Sequence, residues 1–246
     1  MISSFALEIS IDVFNKRKLE HYERSNLYCS GTVMRFKGRL KEIYEFLDPG
    51  NLHYYDLFCD HGGLGIRLLE STGSLVTFND EKSHLIDSLI EKVRDQERAS
   101  FEVCRAQELI FEKQARVVMA GVGGLTMISC FESWLKTHQS KTLKSLEFYV
   151  SPHYYGFELW HFLHQQGFRY DSQKLIQDGK HIYEVARVKM SENNEPMWPS
   201  LDKDLWSHFG DKGQKYLSFA LKNLSNKSEL NKWESQLLAA IKEVLV

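Results

Sequence analysis

The chain has 246 residues, 43% of them hydrophobic and 26% charged, and its formal net charge is -2. This is ordinary globular composition, in a length that fits one domain of good size or one domain with an appendage, able to bury a core without disulfides or metals. No global field draws it to nucleic acid, so any polyanion has to be met by a local patch. The four cysteines, Cys29, Cys59, Cys104 and Cys130, form no C-x-x-C pair and share no spacing with a histidine cluster, which argues against a metal site. Three of them stand in apolar runs, where free cysteine behaves as a small buried hydrophobe, and reduced thiols fit a cytoplasmic location. The segment Met1 to Phe5 lacks a basic region and a continuous apolar core, so no secretory signal is expected; no run reaches membrane-spanning length.

In chain order, Phe5, Leu7, Ile9, Ile11 and Val13 alternate with Ala6, Glu8, Ser10 and Asp12, which predicts a half-buried strand. With a second strand near 27–36, residues 1–37 read as a β-rich N-terminal extension. Residues 39–47 read as an amphipathic helix stopped by Asp48-Pro49-Gly50. Strand and helix then alternate: strand 53–59, helix 64–71, strand 74–79, helix 81–97, strand 101–105, strand 116–120, helix 125–136, strand 146–150 and helix 157–166. The last runs, 168–176 and 181–190, flank Asp178-Gly179 as an antiparallel hairpin. Such alternation predicts an open, doubly wound parallel sheet with helices on both faces. With the closing hairpin it is the pattern of the class I methyltransferase (Rossmann-like) fold, expected over residues 38–190. Residues 191–200 read as a linker, and the helical periods within 201–246 predict a C-terminal helical hairpin.

The most telling stretch is Asp56-Leu57-Phe58-Cys59-Asp60-His61-Gly62-Gly63-Leu64-Gly65. A strand that ends in an acid and a glycine cluster, then opens a helix, is a nucleotide-cofactor turn. Glycines admit close backbone approach, and free N–H groups at the helix start hold an anion. A second strand-like run ends in Asn79-Asp80, and an acid there accepts both hydroxyls of a ribose. The dinucleotide fingerprint G-x-G-x-x-G is absent from the turn, and carboxylates at Asp56 and Asp60 would repel a pyrophosphate but suit an ammonium or sulfonium. The cofactor expected is therefore S-adenosylmethionine. Asp56, Phe58, Asp60, His61, Gly62 and Gly63 would form the first part of its site and Asp80 the ribose acceptor. Phe78 or the Cys104-Arg105-Ala106 region would flank the adenine, and Ala106, Gln107, Ala120 and Gly121 would complete the site.

The order of these motifs resembles the bacterial tRNA adenine-N1 methyltransferases of the TrmK type, over residues 38–246. Gly38-Arg39-Leu40 is similar to that family's opening helix, and Asp56 to His61 to its acid-rich first motif, D-I-G-S/T-D-H. Ala120-Gly121-Val122-Gly123-Gly124 is similar to its A-G-M-G-G turn, Ser151-Pro152 stands where it has Q-P, and Tyr183-Glu184 matches its late Y-E strand. Two departures stand out: Phe58 replaces the first-motif glycine, and Gly62-Gly63-Leu64-Gly65 replaces A-Y-L-P.

The resemblance implies methyl transfer to adenine N1 in tRNA. Attack at N1 puts positive charge on the ring, which a carboxylate stabilises or relieves by taking a proton from N6. Asp60 is the catalytic candidate; a cap on the following helix, or a ligand to the methionine ammonium, is the other reading. His61 would orient Asp60 or meet substrate. Gly123 and Gly124 would floor the substrate side, and Tyr154 or Tyr155 would stack on a flipped base or else serve packing. Arg35, Lys37, Arg39 and Lys41 form a basic patch for RNA phosphates. The same motifs also fit a methyltransferase of this fold for another RNA base or a small molecule, or a binding protein without turnover. Nothing in the sequence speaks to oligomeric state.

Overall fold

The computed structural model describes residues 36–93, 96–112, 114–191, 206 and 208–245. The strand expected at 5–13, its neighbour at 27–35, and most of the 191–200 segment lie outside them. The first helix, α1 (Arg39–Phe46), leads to β1 (His53–Leu57), α2 (Gly63–Ser71), β2 (Leu75–Asp80), α3 (Ser83–Val93) and β3 (Ala99–Val103). A 3-10 turn at Ala106–Glu108 precedes β4 (Ala115–Ala120), α4 (Gly124–Thr137), a short α5 (Ser140–Lys144), β5 (Glu147–Ser151) and α6 (Gly156–Gln165). The hairpin β6 (Phe168–Asp178) and β7 (His181–Met190) follows, then α7 (Gly210–Ser225) and α8 (Lys232–Leu245).

The seven strands lie in the order β3-β2-β1-β4-β5-β7-β6. β1 pairs in parallel with β2 and β4, β2 with β3, and β4 with β5, whereas β7 runs antiparallel to both β5 and β6. This is the doubly wound sheet with a terminal hairpin that the sequence predicts. Val117, Val118 and Met119 are all buried, as a central parallel strand covered on both faces requires. One face carries Trp134 and Phe131 of α4 and Trp160 of α6 against Phe148; the other carries Ile43 of α1, Leu68 of α2 and Leu89 of α3 against Phe78. A third cluster joins Leu217 and Leu224 of α7 and Leu237 and Ile241 of α8 to Leu175 of β6.

Several features differ from expectation, among them β3, which runs from Ala99 to Val103 rather than over 101–105. β1 stops at Leu57, not 59, because Phe58 takes φ 55° and Asp60 φ 50°, which no strand sustains. α3 begins at Ser83, after the Asp80 carboxylate has accepted the Lys82 N–H, and Gln96 to Arg98 form a turn rather than helix. α5, a single turn of Ser-Lys-Thr-Leu-Lys, shows no apolar period; only Leu143 is buried.

Candidate active site

The strand order reverses between β1 and β4, and in doubly wound sheets ligands bind beyond the carboxyl ends of the strands at that point. Four segments meet this edge: the turn after β1, the end of β2, the 3-10 turn after β3, and the Gly121 to Gly124 turn after β4. The register places Asp56 of β1 beside Phe78 of β2 and Val118 of β4, so the two acid-ended strands run in step.

Left-handed backbone builds the first turn. Phe58, Asp60 and Gly62 all have positive φ, and the Gly62 N–H closes onto the Cys59 carbonyl at 2.8 Å. Phe58 occupies the left-handed region where the resembling family has glycine, so the backbone shape is kept at a cost of about 1–2 kcal/mol. A Cβ at Gly62 would meet Leu89 at 2.3 Å, and one at Gly65 would meet the Phe78 ring at 2.3 Å. These two glycines let α2 lie against β2 and α3. The N-cap of α2, Gly62, has no side chain to offer, and Asp56 takes only the Gly65 N–H, so those of Gly63 and Leu64 are left to an anion.

The acids behave differently from one another. Asp56 is buried, its Oδ2 accepting the Gly65 N–H at 2.9 Å, and burial pushes its carboxyl up to about 7. Asp80 is also buried; its Oδ2 accepts the Asp60 N–H at 3.3 Å and its Oδ1 the Lys82 N–H at 3.0 Å. A carboxylate offers about four acceptor positions, so Asp80 keeps capacity for hydroxyls. Asp60 and His61 are both exposed, with Oδ1 and Nε2 3.7 Å apart. The turn thus buries two carboxylates beneath it and presents a carboxylate–imidazole pair at its mouth.

After β3, the Trp134 indole N–H donates to the Ala106 carbonyl at 2.9 Å, and Ser133 Oγ donates to that of Gln107 at 2.8 Å. Ala106 is buried in the core, so its side chain serves packing, while Gln107 is half-buried with its amide 3.4 Å from Ser129 Oγ. Asn79 Nδ2 donates to the carbonyls of Glu102 and Cys104, holding the ends of β2 and β3 together. Nothing in the sequence singled out Asn79 for that task.

After β4, Gly121 has φ 104°, and a Cβ there or at Gly123 would meet nothing within 4 Å. Half-buried Ala120, with Gly121 and Gly123, therefore borders open space. Gly124 differs: its Cβ would lie 2.1 Å from the Tyr155 carbonyl, and its N–H donates to the Tyr154 carbonyl at 2.7 Å. It clamps the loop after β5 rather than flooring a pocket. The His153 N–H adds a second tie, to the Val122 carbonyl at 3.0 Å. Tyr154 is 68% exposed at the rim.

The expected basic patch does not hold as a unit. Arg39 is buried; its Nη2 donates to the Ser151 carbonyl at 2.9 Å, its guanidinium lies 4.4 Å from the Tyr183 ring centre, and burial lowers its pKa. The cause is the helix period: Arg39, Ile43 and Leu47 share the inward side, while Lys37 and Lys41 are exposed. Lys41 faces Glu45 at 3.8 Å, and Arg35 lies outside the described residues. Arg39 is thus removed from the set of phosphate contacts; it ties α1 to the end of β5. Glu184, noted only as part of a matching motif, is buried and accepts from Trp160 Nε1 at 2.7 Å and Tyr216 Oη at 3.2 Å, joining β7 to α6 and α7.

Fold and site together define a protein of the doubly wound class with a nucleotide-cofactor edge lined by carboxylates. The chain belongs to the methyltransferase-domain family, whose sequence profile matches residues 36–186. No curated protein sequence matches it. Among solved structures it is similar to Sp1610 from Streptococcus pneumoniae in complex with S-adenosyl-L-methionine, at 18% identity and a TM-score of 0.66, over 85% of this chain and 98% of that one. It is similar to the B. subtilis tRNA m1A22 methyltransferase TrmK at 14% identity and a TM-score of 0.65, over 87% and 100%. M. capricolum TrmK in complex with S-adenosyl-homocysteine matches at 14% and 0.61, over 85% and 95%. At these identities the likeness shows a shared fold.

Proposed function

We propose that this methyltransferase uses S-adenosylmethionine to methylate N1 of adenine in tRNA. The observation that carries the cofactor is the convergence, on one sheet edge, of Asp80, the Gly63 and Leu64 N–H groups at the start of α2 and the open space beside Gly121 and Gly123. The donor set fits the group: a buried carboxylate for the ribose hydroxyls, free backbone N–H groups for the methionine carboxylate, and Asp56 for the ammonium. The substrate rests on the motif order and on the likeness to the TrmK structures, which covers 85% and 87% of this chain.

When bound, the cofactor supplies a methyl group activated by a sulfonium, which departs as a neutral thioether. The remaining work belongs to the chain. Adenine N1 already carries a lone pair, so holding it in line supplies much of the barrier reduction. Gly121 and Gly123 leave room for the base next to the strand ends, and exposed Tyr154 stacks on it at the rim. Asp60, held by its own N–H to Asp80, stabilises the positive ring or relieves its charge by accepting the N6 proton. His61, 3.7 Å from that carboxylate, orients it. A calorimetric titration with S-adenosylmethionine tests the cofactor: saturable heat is expected, and none at millimolar cofactor contradicts the proposal.

A further inference from the structure

A cavity of 470 Å³ lies on the far side of the β5–α6 loop, between that loop and the C-terminal helices. Pro152, Tyr155, Ile182, Phe219, Leu224 and Trp233 line it. Two charged groups reach the cavity, Lys227 and Glu158, and they pair with each other at 3.7 Å, with Glu234 also holding Lys227 at 2.6 Å. The interior is therefore apolar and aromatic with its charge cancelled, which suits a flat neutral ring and not a phosphate.

The rim has the opposite character. Phe219 is 61% exposed, and Lys212, Lys215 and Lys222 are exposed on the same helix. At about 100° per residue, these four positions fall within an arc of about 80° on α7. Lys215 and Lys222 make no ion pair among the described residues. An aromatic ring flanked by cations along one helix face is how single-stranded nucleic acid is held, with bases on the rings and phosphates on the lysines. The cavity is also tied to the active site through a shared loop. The loop that walls it is the one whose Tyr154 carbonyl and His153 N–H bond the Gly124 and Val122 backbone.

We propose that this cavity takes a second, unstacked base of the RNA that presents its adenine to the active site, while Lys215 and Lys222 meet the flanking phosphates. The inference rests on the RNA reading above. Every base has a π-face, so the cavity reads the presence of a splayed strand more than its sequence. It supplies part of the hold that an overall charge of -2 does not.

The test uses the full chain, with oligouridylate and bulk tRNA as probes. Uridine has no claim on an adenine slot, so quenching of tryptophan fluorescence by oligouridylate reports the cavity. Trp233→Phe should remove most of that quench. Phe219→Ala should raise the KM for tRNA about ten-fold and weaken oligouridylate to a similar degree, with affinity for S-adenosylmethionine retained. Lys215→Glu with Lys222→Glu should flatten the salt dependence of RNA binding. Phe219 is exposed and alanine favours helix, so the variant keeps its fold, which circular dichroism checks. A wild-type protein that methylates tRNA while these variants keep its KM and salt slope overturns the cavity assignment and leaves the RNA reading standing. A wild-type protein that neither binds oligouridylate nor methylates tRNA overturns both. A change in self-association on Phe219→Ala, with RNA binding untouched, reassigns the face to a second copy of the chain and overturns the inference.

Discussion

The carboxylate of Asp80 accepts the backbone N–H of Asp60 at 3.3 Å, so the residue proposed for the ribose also anchors the residue proposed for the chemistry. The two strand ends are thereby locked together: β2 cannot shift its acid without moving the turn after β1. Asp80→Ala should weaken S-adenosylmethionine by at least about ten-fold in calorimetry, since a charged hydrogen bond is worth about 1.5–3 kcal/mol. Unchanged affinity would refute the ribose assignment.

Asp60 itself is exposed, with His61 Nε2 3.7 Å from its carboxylate. Asp60→Ala should lower turnover on tRNA more than it lowers cofactor affinity. The reverse pattern, cofactor binding lost and turnover at saturation kept, would make Asp60 a cofactor ligand alone.

Neighbouring glycines of the β4–α4 turn should respond in opposite ways. A Cβ at Gly124 would sit 2.1 Å from the Tyr155 carbonyl, so Gly124→Ala must displace the loop after β5 and should cost about 1–3 kcal/mol in thermal unfolding. Gly123 faces open space at φ -77°, so Gly123→Ala should keep the wild-type melting temperature. If that space receives the base, the same variant should lose kcat/KM for tRNA. Equal melting temperatures for the two variants would contradict the packing account.

Glu184 makes stability depend on pH. Burial raises its carboxyl from 4.5 to about 7, against the donated bonds from Trp160 and Tyr216. Between those values the folded state holds a proton that the unfolded chain has released. Its contribution is therefore complete below 4.5 and is lost as pH rises through about 7, by at most on the order of 3 kcal/mol. Glu184→Gln keeps a carbonyl acceptor and cannot ionise. It should melt above wild type at about pH 8 and draw level at about pH 5. Asp56 adds a slope of the same sign in both proteins, which cancels in the difference. Parallel melting curves across this range would remove Glu184 as the cause.

The sheet was readable because the central strands are short apolar runs and the helices other than α5 show a single apolar face. The turn after β1 was readable for a related reason, since Gly62 and Gly65 are demanded by backbone geometry and close packing. Arg39 was misplaced because charge along a sequence does not show direction: its i, i+4 relation to Ile43, not its neighbours Lys37 and Lys41, decides that it points inward. Gly124 and Gly123 look alike in sequence and differ only through Tyr155, thirty-one residues away, whose carbonyl fills the space at one and not the other. Glu184 carried no sign of burial, since its partners Trp160 and Tyr216 come from two separate helices. Long-range pairings of this kind are what periodicity cannot carry.

The central claim is tested most directly by incubating bulk tRNA with the protein and S-adenosylmethionine, digesting the RNA and separating its nucleosides. The account predicts methyl incorporation into 1-methyladenosine, reduced by Asp60→Ala. Methyl groups on another nucleoside, or none in a protein that binds the cofactor, would contradict it.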